Sequence, residues 1–326
     1  MNENKMRLSV SVVLATYNGA SFVIEQLESL RNQTYEIDEV LIADDCSKDN
    51  TVALVTKYIA DNELTNKWKI IENEHNKGYA RNFMDIAFAA HMDVVFFCDQ
   101  DDIWENDKIE VMVEQLNKNK NINLLSSDLE LFYDDEDALH WDKKDVEVMN
   151  NSRQMEIITF TPKNIHCQRS GCLMCVRRTF LEEIQPYWRS EWAQDDFVWK
   201  FAVMSDCCAI YHYKAIKRRM HSNNATNVKV RTRKKRIHQI ELLNEYYVSL
   251  LDYVEKVQDK VLDADLKKKV LSKNLSALKY RMSAVKNHNI FAWILLALNF
   301  KDCYPWNKAL FLDGYFVLFK EHRKAE

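Results

Sequence analysis

The stretch Val94–Trp104, with the sequence VVFFCDQDDIW, decides the fold. It opens with five apolar residues that are β-branched or aromatic apart from the cysteine. A short run of this kind predicts a β-strand that is buried on both faces, as in a parallel sheet. Three carboxylates, Asp99, Asp101 and Asp102, follow this strand directly. Because open α/β sheets bind their ligands at the carboxyl ends of strands, the stretch predicts a buried strand that leads into a binding site.

The spacing of these carboxylates indicates a cation. Asp99 and Asp101 flank Gln100, so both side chains can turn toward one point. Negative charges held that close raise each other's pKa unless a cation neutralises them. A hard divalent ion such as magnesium or manganese, which can also hold phosphates, prefers such oxygen ligands. The plain alternative is a solvated acidic turn without a ligand, and the buried strand in front of it makes the two interpretations about equally good.

Polar turns follow other predicted strands as well. The strand-like runs Leu8–Ala15 and Glu39–Ala43 end in Thr16–Gly19 and in Asp44–Asp45, and Trp68–Glu72 is a third short strand. Helical patterns alternate with these strands, the first of them with Ser21 as its expected N-cap, which predicts a wound parallel sheet. Right-handed crossovers place the strand ends on one side, so the turns can meet in one cleft that suits a nucleotide diphosphate. Each turn taken alone is also explained as a tight turn or a helix N-terminus.

Composition limits the classes of protein that fit. The chain has 326 residues, of which 47% are hydrophobic and 29% charged, as in soluble globular proteins. A net charge of -4 argues against a general nucleic-acid binder. We expect a cytoplasmic protein, because the first residues lack a signal pattern and the apolar stretches are shorter than the roughly 20 residues of a membrane span. The eight cysteines are scattered along the chain, as is typical of reduced cysteines in a cytosolic protein. A zinc site is a weaker alternative, built from Cys167, Cys172, Cys175 and His166.

Two later segments add charged groups. Glu191–Ala202 becomes amphipathic after its first residues, which places Asp195 and Asp196 at a helix N-terminus. Carboxylates are common there as caps, but one that faces a metal-bound diphosphate could act as a general base. After a predicted strand, Ala209–Lys214, we expect a basic loop at Arg218–Asn224, whose arginines and histidine could hold phosphate oxygens.

The character of the chain changes at a dense basic run, Lys229–Arg236, after which the pattern is mostly helical. We therefore predict a catalytic domain at 1–227 and a helical region at 228–326. The helices would pack on the catalytic domain, lie on a membrane surface or form homo-oligomer contacts. Basic residues beside apolar and aromatic helices suit an anionic membrane surface.

Several motifs, in this order along the chain, resemble those of the family 2 glycosyltransferases with a GT-A fold, especially a bacterial branch called rhamnosyltransferase-like. The resemblance covers roughly residues 8–227 and implies an α/β fold, a GT-A-type Rossmann-like wound mixed sheet, with a mainly helical C-terminal extension. The motifs are SVVLATYNG, IADDCSKDNT, NKGYARN, DQDDIW, SGCLM, QDDFVWKFAV and RRMHSNN.

The resemblance also implies roles for individual residues. Asp195 falls on the position of the catalytic base. Two residues depart from the pattern, because Gln194 stands where the branch often has histidine and Asp196 where an aromatic residue is usual. Either aspartate could therefore be the base, and Asp195 is the better candidate. Asp102 and Trp104 would shape the pocket for the donor sugar. The implied metal ligands are Asp101 and His221. The implied nucleotide and donor contacts are Thr16, Asn18, Asp44, Asn76, Gly78, Arg81, Asp99, Asp102 and Arg219.

The implied reaction is an inverting, metal-dependent sugar transfer. A nucleotide-diphosphate sugar, with UDP or dTDP as the nucleotide, would donate to a hydroxyl of a glycan, lipid-linked or protein acceptor, in bacterial surface polysaccharide or glycoconjugate synthesis at the inner face of the cell membrane. Manganese or magnesium would be the cofactor. Two alternatives stay open at this point. A sugar nucleotidyltransferase would need a glycine-rich phosphate loop that the sequence lacks, and a non-catalytic scaffold of a polysaccharide assembly complex would keep the fold without turnover.

Overall fold

The computed structural model describes residues 7–134, 138, 140, 146, 148–221, 232–304 and 307–319. Its contacts divide the chain into two compact units. The first holds residues 1–158, 167–202 and 207–224, and the second holds 159–166, 203–206 and 225–326. The second unit also takes two short segments, 159–166 and 203–206, from the first part of the chain, and the predicted division at 227 stays a prediction. That the first unit is the catalytic one stays a prediction.

The first unit is built on a mixed sheet that has nine strands among the described residues. The strands are β1 Val10–Thr16, β2 Glu39–Asp44, β3 Trp68–Glu72, β4 Val94–Cys98, β5 Ile103–Trp104, β6 Leu124–Tyr133, β7 Met155–Ile157, β8 Met174–Arg177 and β9 Cys208–Met220. Their order in the sheet is β3-β2-β1-β4-β8-β6-β9-β5, and β7 pairs with β9. The helices that connect or flank them are α1 Val23–Arg31, α2 Thr51–Asp61, α3 Tyr79–Phe88, α4 Lys108–Lys118, α5 Arg178–Ile184 and α6 Gln194–Met204.

The parallel half of the sheet positions the expected site. β1 pairs in parallel with β2 and β4, and β2 with β3, as the alternation of strands and helices predicts. All five residues of β4 are buried, because apolar side chains cover both of its faces. The register sets Thr16 beside Asp44 and Leu14 beside Cys98, so the polar residues after β1, β2 and β4 share one edge. β8 runs antiparallel to β4 and β6, which makes the sheet mixed.

Two local expectations were wrong, and one short strand was missed. The first helix starts at Val23 with Phe22, not Ser21, at its N-cap position. The two-residue strand β5, which pairs with β9, was not predicted because so short a strand carries no periodic pattern. The predicted strand Ala209–Lys214 extends to Met220 because it pairs along the whole of β6. Arg218 and Arg219 therefore lie on a strand and not in a loop, while the rest of that predicted loop, 222–224, lies outside the described residues.

The second unit contains four helices among its described residues, which confirms the helical C-terminal pattern. One buried carboxylate, Asp313, joins three of its segments, because it accepts hydrogen bonds from Arg236 Nε at 2.6 Å, Arg281 Nε at 2.8 Å and Tyr304 Oη at 2.7 Å. Within the described residues, each helix is too short or too polar to cross a membrane. The helices are α7 Arg233–Val257, α8 Ala264–Asn287, α9 Ile290–Asn299 and α10 Asn307–Leu318.

Candidate active site

The carboxylate of Asp44 organises the turns after β1 and β2. It is 1% exposed, and its Oδ2 accepts hydrogen bonds from Thr16 Oγ1 at 2.8 Å and Ser47 Oγ at 2.6 Å. Asn18 adopts the left-handed conformation with φ 49°, and its Oδ1 accepts from the backbone N–H of Lys48 at 2.8 Å. These expected nucleotide-binding residues therefore lie together at the edge of the sheet, joined by hydrogen bonds.

Gln100 connects the β1 turn to the acidic motif, a role that sequence reasoning missed. Its Oε1 accepts from the backbone N–H of Tyr17 at 2.9 Å, and its Nε2 donates to the carbonyl of Tyr17 at 3.0 Å. A Cβ on Gly19 would lie 2.1 Å from the same Oε1, so only glycine fits there without displacing Gln100. In the sequence, Gln100 stood out only as the spacer between two aspartates.

Asp45 holds the loop that was expected to close over a nucleotide. Its carboxylate accepts from the backbone N–H groups of Lys77 at 2.7 Å and Gly78 at 2.8 Å. Asn76 donates to the Asp45 carbonyl at 3.0 Å, and Gly78 has φ 81°, a conformation that favours glycine. Arg81 follows on α3 as an exposed side chain. The loop is thus attached to the end of β2, a role that the sequence did not assign to Asp45.

The carboxylates after β4 form a buried acidic cluster. Ligand atoms of Asp99, Asp102 and Cys172 all lie within 4.8 Å of one another. Burial, and then the charges of Asp101 and Asp99, raise the pKa of Asp102 to about 8. Burial, followed by the charge of Asp101, likewise raises the pKa of Asp99. Among the residues that the structure describes, none donates a hydrogen bond to Asp102 Oδ2, which makes this buried oxygen a candidate contact for a bound group.

Asp101 meets His221, as expected for a shared ligand site. The two side chains are 2.9 Å apart, from Nε2 to Oδ2, although 120 residues separate them in the sequence. The imidazole stacks on the ring of Phe22 at 4.6 Å between centroids and is 8% exposed. The predicted metal pair is therefore brought together at the edge of the acidic cluster.

The two arginines at the end of β9 point in different directions, because neighbouring side chains alternate along a strand. Arg219, which was assigned to the diphosphate, donates through Nη1 to Asp134 at 2.7 Å and forms an ion pair with Glu25. Arg218 donates to Ser170 Oγ at 2.7 Å, and its charge lowers the pKa of Asp102. Both arginines therefore contact the acidic motif. Arg218 acts through its charge, whereas Arg219 donates its backbone N–H to Asp102 Oδ1 at 3.3 Å and its Nε–H to the carbonyl of Asp101 at 3.1 Å.

Asp195 lies beside the acidic cluster, at the start of α6. A Cβ on Gly171 would lie 3.6 Å from the Cβ of Asp195, and the next residue, Cys172, belongs to the cluster. Burial, then Asp196, and to a smaller extent Asp99 raise the pKa of Asp195 to about 6. The proposed base and the acidic motif therefore occupy the same side of the sheet.

The neighbours of Asp195 have other contacts. Asp196 forms an ion pair with Lys200, whose side chain is 3% exposed. Gln194, which stands where histidine was expected, is buried, and within the described part of the chain nothing donates to its Oε1. The ion pair occupies Asp196, whereas the Asp195 carboxylate accepts the backbone N–H of Asp196 at 2.7 Å.

The zinc alternative was wrong. Over the described residues, the acidic cluster is the one group of three or more His, Cys, Asp or Glu side chains close enough to share an ion. All eight cysteines lie in the described part of the chain and are free thiols, as expected for a reduced protein.

Comparison with known proteins decides the family. The model of the family described as "Glycosyl transferase family 2" matches residues 11–185. This chain belongs to glycosyl transferase family 2. An uncharacterized glycosyltransferase of Haemophilus influenzae is 27% identical over 67% of this chain and 68% of its own length. The UDP-Glc:alpha-D-GlcNAc-diphosphoundecaprenol beta-1,3-glucosyltransferase WfgD of Escherichia coli is 31% identical over 37% of this chain, and the match spans only 46% of that enzyme.

Solved structures show the same fold for this family 2 glycosyltransferase. S. aureus TarS 1-349, in complex with UDP-GlcNAc, matches with a TM-score of 0.61 at 16% identity, over 95% of this chain and 82% of that one. The mannosyltransferase PcManGT of Pyrobaculum calidifontis, in complex with GDP-Man and Mn2+, matches with a TM-score of 0.51 at 18% identity, over 96% and 86%. The GT-A-type mixed sheet with a helical C-terminal region is thereby confirmed.

Proposed function

We propose that this glycosyltransferase is inverting and metal-dependent, and that it moves a sugar from a UDP- or dTDP-sugar to an acceptor hydroxyl in bacterial surface polysaccharide or glycoconjugate synthesis. The main support is the position of Asp195, a carboxyl with a pKa of about 6, beside the cluster of Asp99, Asp102 and Cys172. The name of the E. coli relative, with a UDP-sugar and a diphosphoundecaprenol-linked sugar, favours a lipid-linked glycan over a protein as the acceptor.

The acidic cluster fits a divalent cation. Its carboxylates raise one another's pKa, and Asp102 Oδ2 is buried without a donor among the described residues, so a cation would relieve both costs. We assign Asp101 and His221, with Asp99, to hold manganese or magnesium, which supplies positive charge to the departing diphosphate. Burial first of all raises the pKa of the Cys172 thiol well above its ordinary value, so this group stays protonated and is not assigned as a ligand.

Asp195 would act as the general base. It takes the proton of the acceptor hydroxyl while the hydroxyl oxygen forms a bond to the anomeric carbon of the donor sugar. The bond between the anomeric carbon and the diphosphate oxygen breaks at the same time, on the opposite face, so the anomeric configuration inverts. A pKa near 6 leaves the carboxylate ionised at neutral pH and makes it a stronger base than an ordinary aspartate. The ion pair between Asp196 and Lys200 favours Asp195 over Asp196 in this role.

The remaining predicted residues would bind the donor. The turns that contain Thr16, Asn18 and Asp44 would contact the base and ribose, and the loop with Asn76, Gly78 and Arg81 would cover the nucleotide. Arg218, with its buried guanidinium near the cluster, joins Arg219 as a candidate for the diphosphate. Asp102 would border the donor sugar, whereas Trp104, which was expected there as well, is 2% exposed and packs in the hydrophobic core beside Phe96.

Hydrolysis of donor sugars by the purified chain tests this proposal. We would incubate the protein with Mn²⁺ and with UDP-glucose, UDP-GlcNAc or dTDP-rhamnose, and measure the release of nucleotide diphosphate with and without a chelator. We expect release from one donor that needs the metal and falls by roughly 100-fold or more in Asp195→Asn. The Asp196→Asn variant is the matched control and should keep most of the activity. Turnover that is unchanged in Asp195→Asn, or lost only in Asp196→Asn, would remove Asp195 from the mechanism.

A further inference from the structure

The helix α9 presents an apolar surface to the solvent. Its ten residues, IFAWILLALN, contain no charged side chain. On one side, Ala292 and Leu296 are buried. The other side carries a row of large apolar side chains. Single exposed apolar residues are common on protein surfaces, but a continuous row of them is not. The exposed fractions in this row are Ile290 40%, Phe291 77%, Ile294 41%, Leu295 40% and Leu298 74%.

The neighbouring helix α10 repeats this arrangement. Leu310 and Val317 are buried in the same cluster as Ala292 and Leu296, together with residues of α8. Since α9 and α10 bury their inner sides in one cluster, their exposed sides both face away from it. In α10 and directly after it, the exposed apolar residues are Phe311 68%, Tyr315 54%, Leu318 56% and Phe319 58%. We call these nine exposed residues of the two helices the outer apolar face.

The two helices hold each other closely, so the outer apolar face is one surface. Trp293 Nε1 donates to the carbonyl of Leu310 at 3.1 Å. A Cβ on Gly314 would lie 2.7 Å from the ring of Trp293, which means that glycine allows the close approach. The two helices therefore pack directly against each other.

Among the described residues, the exposed charged side chains next to this face in the sequence are mostly basic. Lys286 precedes α9, Lys301 follows it and Lys308 lies in the first turn of α10, and all three are exposed. The carboxylate within α10, Asp313, is fully buried and bonded to two arginines, so it offers no charge to a partner. Asp302, next to Lys301, is paired with Lys273 at 2.6 Å.

We propose that the outer apolar face docks on the surface of an anionic lipid bilayer, with both helices lying flat. Apolar and aromatic side chains would enter the boundary between headgroups and acyl chains, and the lysines around them would contact anionic headgroups. A ten-residue helix is about 15 Å long, so α9 lies on a bilayer and does not cross it. A second copy docked through the same face would bring the lysines of both copies together, which disfavours a symmetric dimer. This inference goes beyond the proposed function and does not depend on it.

Co-sedimentation of the full chain with sucrose-loaded vesicles tests the proposal without any measurement of catalysis. We would use vesicles of phosphatidylcholine, with and without 30% phosphatidylglycerol. We expect the chain to bind the anionic vesicles and to lose about tenfold or more in partition coefficient in the double variant Phe291→Ser, Leu298→Ser. The matched control is Leu262→Ser, which removes a leucine that is 69% exposed outside this face and should leave binding unchanged.

A charge variant separates lipid binding from general stickiness. Lys286→Glu with Lys308→Glu leaves the apolar residues in place and should weaken binding to the anionic vesicles by about 30-fold, since each lysine contributes about 1 kcal/mol. Three results would overturn the proposal. The first is that the wild-type chain does not bind anionic vesicles, and the second is that Leu262→Ser loses as much binding as the double variant. The third is a concentration-dependent dimer in sedimentation that vesicles do not dissociate and that the double variant Phe291→Ser, Leu298→Ser no longer forms.

Discussion

Replacing Asp195 by asparagine should make the protein more stable while it removes transfer. Burial and two neighbouring carboxylates raise the pKa of Asp195 from 3.8 to about 6, so the ionised form destabilises the folded state at neutral pH. One pKa unit corresponds to about 1.4 kcal/mol, so the penalty is on the order of 3 kcal/mol at pH 8, and about 2 kcal/mol after solvent screening at this partly exposed site. Asparagine carries no charge, and its Oδ1 can still accept the Asp196 N–H.

The pH dependence has a definite sign. The folded pKa lies above the unfolded one, so the folded state holds the proton more strongly between pH 3.8 and about 6. Wild-type stability relative to Asp195→Asn should therefore fall as the pH rises through this window, and the difference should be complete above it. At pH 5 it should be about half of its value at pH 8. For the reaction, kcat/KM should rise with pH and level off above an apparent pKa near 6, because the base must be ionised.

Thermal unfolding at pH 5 and pH 8 measures this effect. We expect a Tm for Asp195→Asn that is several degrees above wild type at pH 8 and closer to it at pH 5. Asp196→Asn should show the opposite sign, since it leaves the buried Lys200 without its ion-pair partner. A lower Tm for Asp195→Asn at pH 8, or a difference that does not change with pH, would refute the reasoning.

Two other positions give predictions of different kinds. Gly19→Ala should weaken nucleotide binding by about tenfold or more, because its Cβ would displace Gln100. The double variant with Gln100→Ala should recover part of that affinity. Calorimetric titration of UDP measures both, and an unchanged affinity in Gly19→Ala would contradict the role of Gln100. Lys108→Met should change the free energy of unfolding in urea by less than about 2 kcal/mol. It removes a buried ammonium whose pKa burial lowers to about 8, but it also leaves the Cys172 carbonyl without its donor at 2.8 Å, and a larger loss would contradict this.

The sequence predicted the fold where local pattern and tertiary structure agree. The β4 run VVFFC is apolar on both faces, so its place inside a parallel sheet could be predicted. The polar turns after β1, β2 and β4 could then be placed on one edge by the handedness of crossovers. The resemblance to a family supplied the roles of Asp101, Asp195 and His221, and the structure places these three residues around one acidic cluster.

Other features depend on distant contacts and could not be predicted. Gln100 and Asp45 bond to backbone groups of other segments, and nothing in their local sequence indicates this. β9 extends to Met220 because β6 is long enough to pair with it, so the directions of Arg218 and Arg219 follow from another strand. β5 is too short to show a period. In each case a partner far away in the sequence decides the outcome.

The central claim is that a divalent ion and a nucleotide diphosphate bind together at the acidic cluster, beside Asp195. Calorimetric titration of UDP and dTDP into the wild-type chain, Asp101→Ala and Asp195→Asn, each with Mn²⁺ and with a chelator, tests it most directly. We predict that one nucleotide binds the wild type at least about tenfold more tightly with Mn²⁺, that Asp195→Asn keeps this dependence, and that Asp101→Ala loses it. Equal affinity of the wild type with Mn²⁺ and with the chelator would contradict the claim.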